Sequence, residues 1–207
     1  MKASNVFDES DELAAELLSV VDLPLVDDSA RFRVSDVACS LSIEHWRAVR
    51  ELLRGELLPS AVVVHRAQFE AVVRSIWLGY AATEESVSKL TTTLSLESEQ
   101  AAKNMPQPQK MMEEIEKQGP SEAYAALARF KENSWKALNS YAHAGIHPMQ
   151  RHRDGYPREL LHTVLRNANG LGVMSCMQAA ALSGAQRLQR TLLAIAAKHP
   201  ACMPPPL

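Results

Sequence analysis

Two sets of side chains in this chain have types and spacings that suit chemistry. Arg66, Glu70 and Arg74 recur at four-residue steps inside the apolar run SAVVVHRAQFEAVVRSIWLGYAA, residues 60–82. A helix turns every ~3.6 residues, so the three fall in one slowly drifting stripe among Val62, Val64, Phe69, Val72, Val73, Ile76 and Trp77. Unpaired buried charge is strongly unfavourable. The stripe is therefore either a self-neutralising Arg–Glu–Arg ladder that fixes packing, or the wall of a polar pocket. The second set is N-S-Y-A-H-A-G, Asn139 to Gly145. Asn139 and His143 are four apart and share a helix face, with Lys136 one turn earlier. A His at a helix C-terminus has its protonated form favoured by the helix dipole, which suits general acid–base work. The plain alternative is that His143 only caps the helix. Gly145 is placed to close that helix in the left-handed conformation.

The elements that must position these residues read as helices. Phe7–Val21 is a short amphipathic helix with Leu13, Leu17, Val20 and Val21 on its apolar side. A second helix is expected from about Ser35 to Leu58, with Val37, Leu41, Trp46, Val49, Leu53 and Leu57 as its core face. Pro59 separates it from the helix that carries the charged stripe, where proline fits the first turn. Thr83 caps a polar helix reaching about Asn104, and Pro106 and Pro108 break it. Gln109–Gln118 and Ser121–Tyr141 follow as helices, divided by Gly119-Pro120. His143–Pro157 reads as a loop rich in His, Arg, Gly and Pro. One long helix is expected from Arg158 to Lys198, bent at Gly170 or Gly172. Its many small residues suit close helix packing or a dimer interface. No segment combines period-two alternation with β-branched enrichment, so the fold class is all-α.

Charge is uneven. The net is only -2 over 207 residues, with 46% apolar content, which gives no bulk signal for nucleic acid or membrane. The first 30 residues are nonetheless acidic, and His143–Arg166 carries Arg151, Arg153, Arg158 and Arg166 with four histidines. The three cysteines, Cys39, Cys176 and Cys202, fit neither a zinc site nor a redox pair. Cys39 and Cys176 read as small hydrophobes, and a reducing cytoplasmic location is expected. The N-terminus has no signal-peptide run, and no membrane span is expected.

The pattern E-x-x-x-R-x-x-W (Glu70, Arg74, Trp77) on an apolar helix, with N-S-Y-A-H-A-G ending a later one, resembles the HEPN superfamily. More narrowly it resembles bacterial HEPN-like helical proteins of uncharacterised function, some related to abortive-infection proteins. The resemblance implies an all-α helical bundle that forms a homodimer. Many such domains are metal-independent endoribonucleases of toxin–antitoxin or phage-defence systems. Their motif is an Arg, often followed by a polar residue, then a His a few residues on. Asn139 fits the polar position and His143 the His, while Leu138 stands where the Arg is expected. Lys136, or Arg66 or Arg74 from the earlier helix, is the candidate replacement.

In the chemistry this implies, His143 is the acid or base for RNA cleavage, and Arg66 and Arg74 stabilise the phosphate with Glu70 orienting them. Asn139, Tyr141 and Lys136 position the substrate, and Arg151 and Arg153 hold the RNA backbone. No metal and no cofactor are expected; His147 and His152 read as surface residues, and no P-loop, GxGxxG or GxSxG is present.

The expectation is thus an all-α, HEPN-like bundle over residues 35–200. An acidic N-terminal helical arm and linker precede it at 1–34, and a disordered tail follows at 201–207. The expected function is a ribonuclease-like effector with RNA or nucleotide as ligand and an antitoxin or defence protein as partner. The alternative is a non-catalytic helical interaction or anion/nucleotide-binding module.

Overall fold

The computed structural model describes residues 5–205, apart from the side chains of residues 101 and 102. The described residues contain helices and no strand. Helix α1 (Val6–Val21) starts at Asn5, whose side chain accepts the Phe7 N–H. Helix α2 (Ala30–Arg54) starts five residues earlier than the hydrophobic pattern indicates, because Ser29 accepts the Phe32 N–H and caps it. Helix α3 (Leu58–Tyr80) carries Pro59 in its first turn. The polar helix expected to reach Asn104 is two helices, α4 (Glu84–Thr91) and α5 (Leu96–Ala102). Thr92 is extended, and Ser95 and Ser98 cap the second piece reciprocally. Then come α6 (Pro108–Gln118), α7 (Ser121–Ala142), α8 (Ile146–Asp154), α9 (Arg158–Leu182) and α10 (Leu188–Lys198), with a 3-10 turn at Pro200–Cys202.

Two sequence expectations fail for local reasons. The His143–Pro157 loop contains a helix, α8, since Pro148 lies in its first turn, where a missing N–H is harmless. The long terminal helix is not bent at Gly170 or Gly172 but ends at Leu182. Gly184 there has φ 68°, the Ala185 N–H reaches Ala180 O at 2.8 Å and the Gly184 N–H reaches Ala181 O at 3.0 Å. This is a helix stop built on a left-handed residue. Gly172 serves packing instead: a Cβ there would lie 2.8 Å from Trp46 Cε3 and nearer still to Cδ2 and Cε2.

The centre is a three-helix core of α2, α3 and α9, with α2 antiparallel to both. Its seam is polar. Ser35 Oγ donates to Ser75 O at 2.7 Å and Ser75 Oγ donates back to Ser35 O at 2.8 Å. Ser42 Oγ donates to Gln68 O at 3.1 Å and lies 2.9 Å from Ser175 Oγ. Gln68 Nε2 donates to Ala168 O at 2.9 Å. The buried face of α2 is therefore Ser35, Ala38, Cys39, Ser42, Trp46, Val49 and Leu53. Val37, Leu41 and Leu57, expected in the core, are exposed. Hydroxyls that bond to a neighbouring backbone bury at little cost, and their small size lets the helices approach closely. The small residues of α9 serve this intrachain contact.

Helix α1 packs on α9, α10 and the 3-10 turn through buried Leu13 and Leu17. Some of its acids pair across helices: Asp11 with Arg50 and Arg54, and Glu16 with Lys198 at 2.9 Å and His199 at 3.0 Å. The end of the chain, expected to fray from residue 201, is packed: Cys202 is buried and its carbonyl accepts Asn169 Nδ2 at 2.8 Å. Residues 206–207 of that tail, and residues 1–4 of the arm, lie outside the described residues. Burial pushes the thiols of Cys39, Cys176 and Cys202 up to about 12, so none is a nucleophile at neutral pH. No helix among the described residues is long and apolar enough to cross a membrane.

Candidate functional site

The charged stripe on α3 is one rung rather than a ladder. Arg66 Nε donates to Glu70 Oε1 at 2.8 Å, and the Arg66 guanidinium lies 5.0 Å from the centre of the Trp135 ring on α7. Both charges are partly buried. Arg74, also partly buried, makes no ion pair or hydrogen bond with a described residue. The stripe thus joins α3 to α7 at Arg66 and leaves Arg74 unmatched. Phe69 lies beneath the same contact, stacked on Phe130 at 4.9 Å and tilted against Trp135 at 5.8 Å.

The second cluster forms where α7 ends. The Gly145 N–H reaches Ser140 O at 2.7 Å and the Ala144 N–H points to Tyr141 O at 3.4 Å. This is the pairing of a Schellman stop. The left-handed residue is Ala144, with φ 48°, and not Gly145 as the sequence suggests. Gly145 is required for space, since a Cβ there would lie 2.6 Å from Ser140 Oγ. Ser140 Oγ then accepts the His147 N–H at 3.2 Å, which starts α8.

That turn sets the His147 ring parallel to Tyr141, with centroids 6.5 Å apart. Tyr141 is buried; burial pushes its hydroxyl pKa up, with Arg151 acting in the opposite direction. A shallow concavity of about 190 Å³ lies beside them, lined by His147, Gln150, Arg151 and Asp154. Arg153 holds Asp154 with bonds of 2.6 and 2.9 Å. Arg151 makes no ion pair or hydrogen bond with a described residue, although after the Arg153 bond its charge helps to lower the Asp154 pKa, and its guanidinium lines the concavity.

Within one chain the two clusters do not converge. Helix α7 runs antiparallel to α3: Leu138 and Tyr141 share a core cluster with Leu58 and Ala61, and Leu127 shares one with Phe69 and Val72. His143 lies eight residues past Trp135, and Arg74 lies eight past Arg66 in the opposite direction. At about 1.5 Å per residue, His143 stands roughly 12 Å along the bundle from Arg66 and roughly 24 Å from Arg74. His143 is exposed as the cap residue of α7, with its N–H on Asn139 O at 3.2 Å. Asn139 is half-buried beside it. Lys136 is exposed and lines a different feature, an open α6–α7 groove of about 430 Å³ floored by Met112, Ala128 and Trp135. Leu138, at the motif position expected for Arg, is buried in the core.

Sequence reasoning missed the buried polar residues. His65 on α3 is buried, with Nδ1 3.0 Å from Gln68 Oε1 and no partner for Nε2 among the described residues. Burial lowers its pKa to about 4, partly offset by the Gln68 bond, so it is neutral at pH 7. Asn169 on α9 joins three elements. Its Oδ1 accepts from Ser10 Oγ at 3.0 Å and Trp46 Nε1 at 2.8 Å, while its Nδ2 donates to the Cys202 carbonyl. The available signal was a polar residue on the apolar side of a helix, at positions 65, 68, 75 and 169. Among the described residues, no three His, Cys, Asp or Glu side chains are grouped to hold a metal.

A family model for a family of unknown function, DUF6988, matches residues 39–205. The chain belongs to this family. The match begins inside α2 and takes in α3 to α10, so the polar seam from Ser42 onward, the Arg66–Trp135 contact and the α7–α8 corner lie on family sequence, while Ser35 precedes it. No curated protein matches the chain, and no solved structure does.

Proposed function

We propose that this DUF6988 protein is a non-catalytic helical module that binds a nucleotide or another phosphate-bearing anion at the α7–α8 corner. One observation carries this reading: the unpaired Arg151 guanidinium stands at a concavity beside His147 and the Tyr141 ring, while Asp154 is already held by Arg153. Arginine matches phosphate geometry through its planar fork of N–H groups. Arg66, by contrast, is engaged by Glu70 and Trp135. The module acts as a homodimer, as the HEPN resemblance implies, and works in the cytoplasm, in keeping with three free, buried cysteines.

The test is thermal unfolding with inorganic phosphate, adenosine triphosphate or a short RNA. Saturating ligand at about 100 times its Kd adds roughly 2.7 kcal/mol and raises Tm. Arg151→Ala removes the shift, while Arg66→Ala and Arg74→Ala keep it. No shift with any of the three probes defeats the proposal.

A second reading is the metal-independent endoribonuclease implied by the HEPN resemblance, within a toxin–antitoxin or phage-defence system. What favours it is the exposure of His143 at the same end of the bundle as Arg151. It requires that purified protein cleave RNA without metal and that His143→Ala abolish both the cleavage and any growth arrest on expression. Intact RNA after incubation with the wild type eliminates it.

A further inference from the structure

The two ends of the bundle carry unlike exposed patches. At one end the α4–α5 segment presents Leu94 and Leu96, 87% and 78% exposed. Beside them Glu97 and Glu99 are exposed and make no ion pair with a described residue. At the other end α8 has no buried residue and presents Ile146 and Met149, 63% and 65% exposed, with His152 and Arg153 exposed nearby. Its amphipathicity is inverted. The His147 ring stacks on Tyr141, and Pro148 is the one half-buried residue of the helix. At ~100° per residue, Ile146, Met149 and Arg153 then fall on the outward side. Apolar side chains turned away from their own domain offer a surface that a second surface of opposite charge can cover.

The ends are fixed by α3. Helix α4 leaves its C-terminus, where Arg31 bonds both Leu78 O and Glu84. The α8 end lies at its N-terminus, where the Tyr156 hydroxyl bonds Glu56 O. Between them run 23 residues of helix, about 34 Å. One patch is acidic and apolar, the other basic and apolar, and the same chain carries both. We infer that two copies pair antiparallel through these patches, with Leu94 and Leu96 of each copy seated against Ile146 and Met149 of the other. Glu97 and Glu99 then face the His152–Arg153 side of α8. This pairing requires both patches on one side of the bundle, where a two-fold axis across it makes both contacts at once and leaves neither patch open, whereas head-to-tail stacking would leave one free at each end. Arg153 is bonded to Asp154 within its own chain, but that pair is exposed and weak enough to exchange.

The inference rests on the homodimer proposed above and is independent of anion binding. Light scattering and sedimentation of the full chain, over a range of protein and salt concentrations, test it. The wild type is expected as a dimer that weakens with salt. Leu94→Asp with Leu96→Asp, and separately Ile146→Asp with Met149→Asp, weaken it on the order of a hundredfold. Circular dichroism melts of these surface variants show that they remain folded. Glu97→Lys with Glu99→Lys weakens the pair, and adding His152→Glu and Arg153→Glu restores it. A wild type that is monomeric throughout overturns both the homodimer and these surfaces. A dimer that survives both Asp variants overturns the surfaces alone. Mass that grows past two copies overturns the closed two-fold arrangement.

Discussion

The indole of Trp46 on α2 lies directly on the backbone of Gly172 on α9, in the space a Cβ would need. Two opposed effects meet at this glycine. Alanine would raise helix propensity by about 1 kcal/mol, but it would force the buried indole off its seat and off its 2.8 Å bond to Asn169. Overpacking in a dense core costs about 1–3 kcal/mol, and the lost hydrogen bond adds to it. Gly172→Ala is therefore expected to destabilise by about 2 kcal/mol in urea unfolding. A neutral or stabilising result would mean that Trp46 has room to move.

The turn after α7 gives the opposite prediction. Ala144 holds φ 48°, a conformation that costs an L-residue about 1 kcal/mol and glycine almost nothing. Ala144→Gly should raise stability by up to about 1 kcal/mol. Its neighbour behaves inversely, since Gly145→Ala would press a methyl against Ser140 Oγ. Differential scanning fluorimetry of the two variants should show Tm shifts of opposite sign.

Neutral His65 makes stability depend on pH. Its folded-state pKa, about 4, lies below the ordinary 6.5 because burial disfavours the cation. As pH falls, the unfolded chain takes up a proton before the folded one does. The stability present above pH 6.5 is thus lost progressively between pH 6.5 and about 4, by up to about 3 kcal/mol. His65→Gln should flatten this part of the urea-midpoint profile relative to wild type. Parallel profiles would show that His65 protonates in place.

The stripe on α3 separates a paired arginine from an unpaired one. Arg66 has an i,i+4 ion pair and a cation–π contact with Trp135, together worth about 1 kcal/mol at partly exposed positions. Arg66→Ala should cost about that much, and Arg74→Ala much less. Equal costs in denaturant unfolding would mean that the full ladder forms in solution.

Much of the helix pattern was legible before folding. The Pro and Gly breaks at Pro59, Gly119 and Pro120, and the apolar faces containing Leu13, Trp46 and Leu53, lie where local rules put them. The buried face of α2 was not legible, because Val37 and Leu41 carry the stronger hydrophobic signal and yet face outward. Ser35 and Ser42 face in because Ser75, Gln68 and Ser175 are there to meet them. Those partners are distant in sequence, and a hydroxyl reads as core only once its acceptor is known.

The same division holds for the candidate site. The sequence by itself determined which side chains are available: the arginines of α3, the Asn139–His143 cluster and the basic run after it. Spacing along a helix settles which of them share a face, because that is a local matter. Only the tertiary structure decided their grouping. The antiparallel course of α3 and α7 sends Arg74 and His143 to opposite ends, while the Ala144 turn folds Arg151 back toward Tyr141. Helix direction and turn geometry depend on contacts between distant segments, and no local pattern in the chain specifies them.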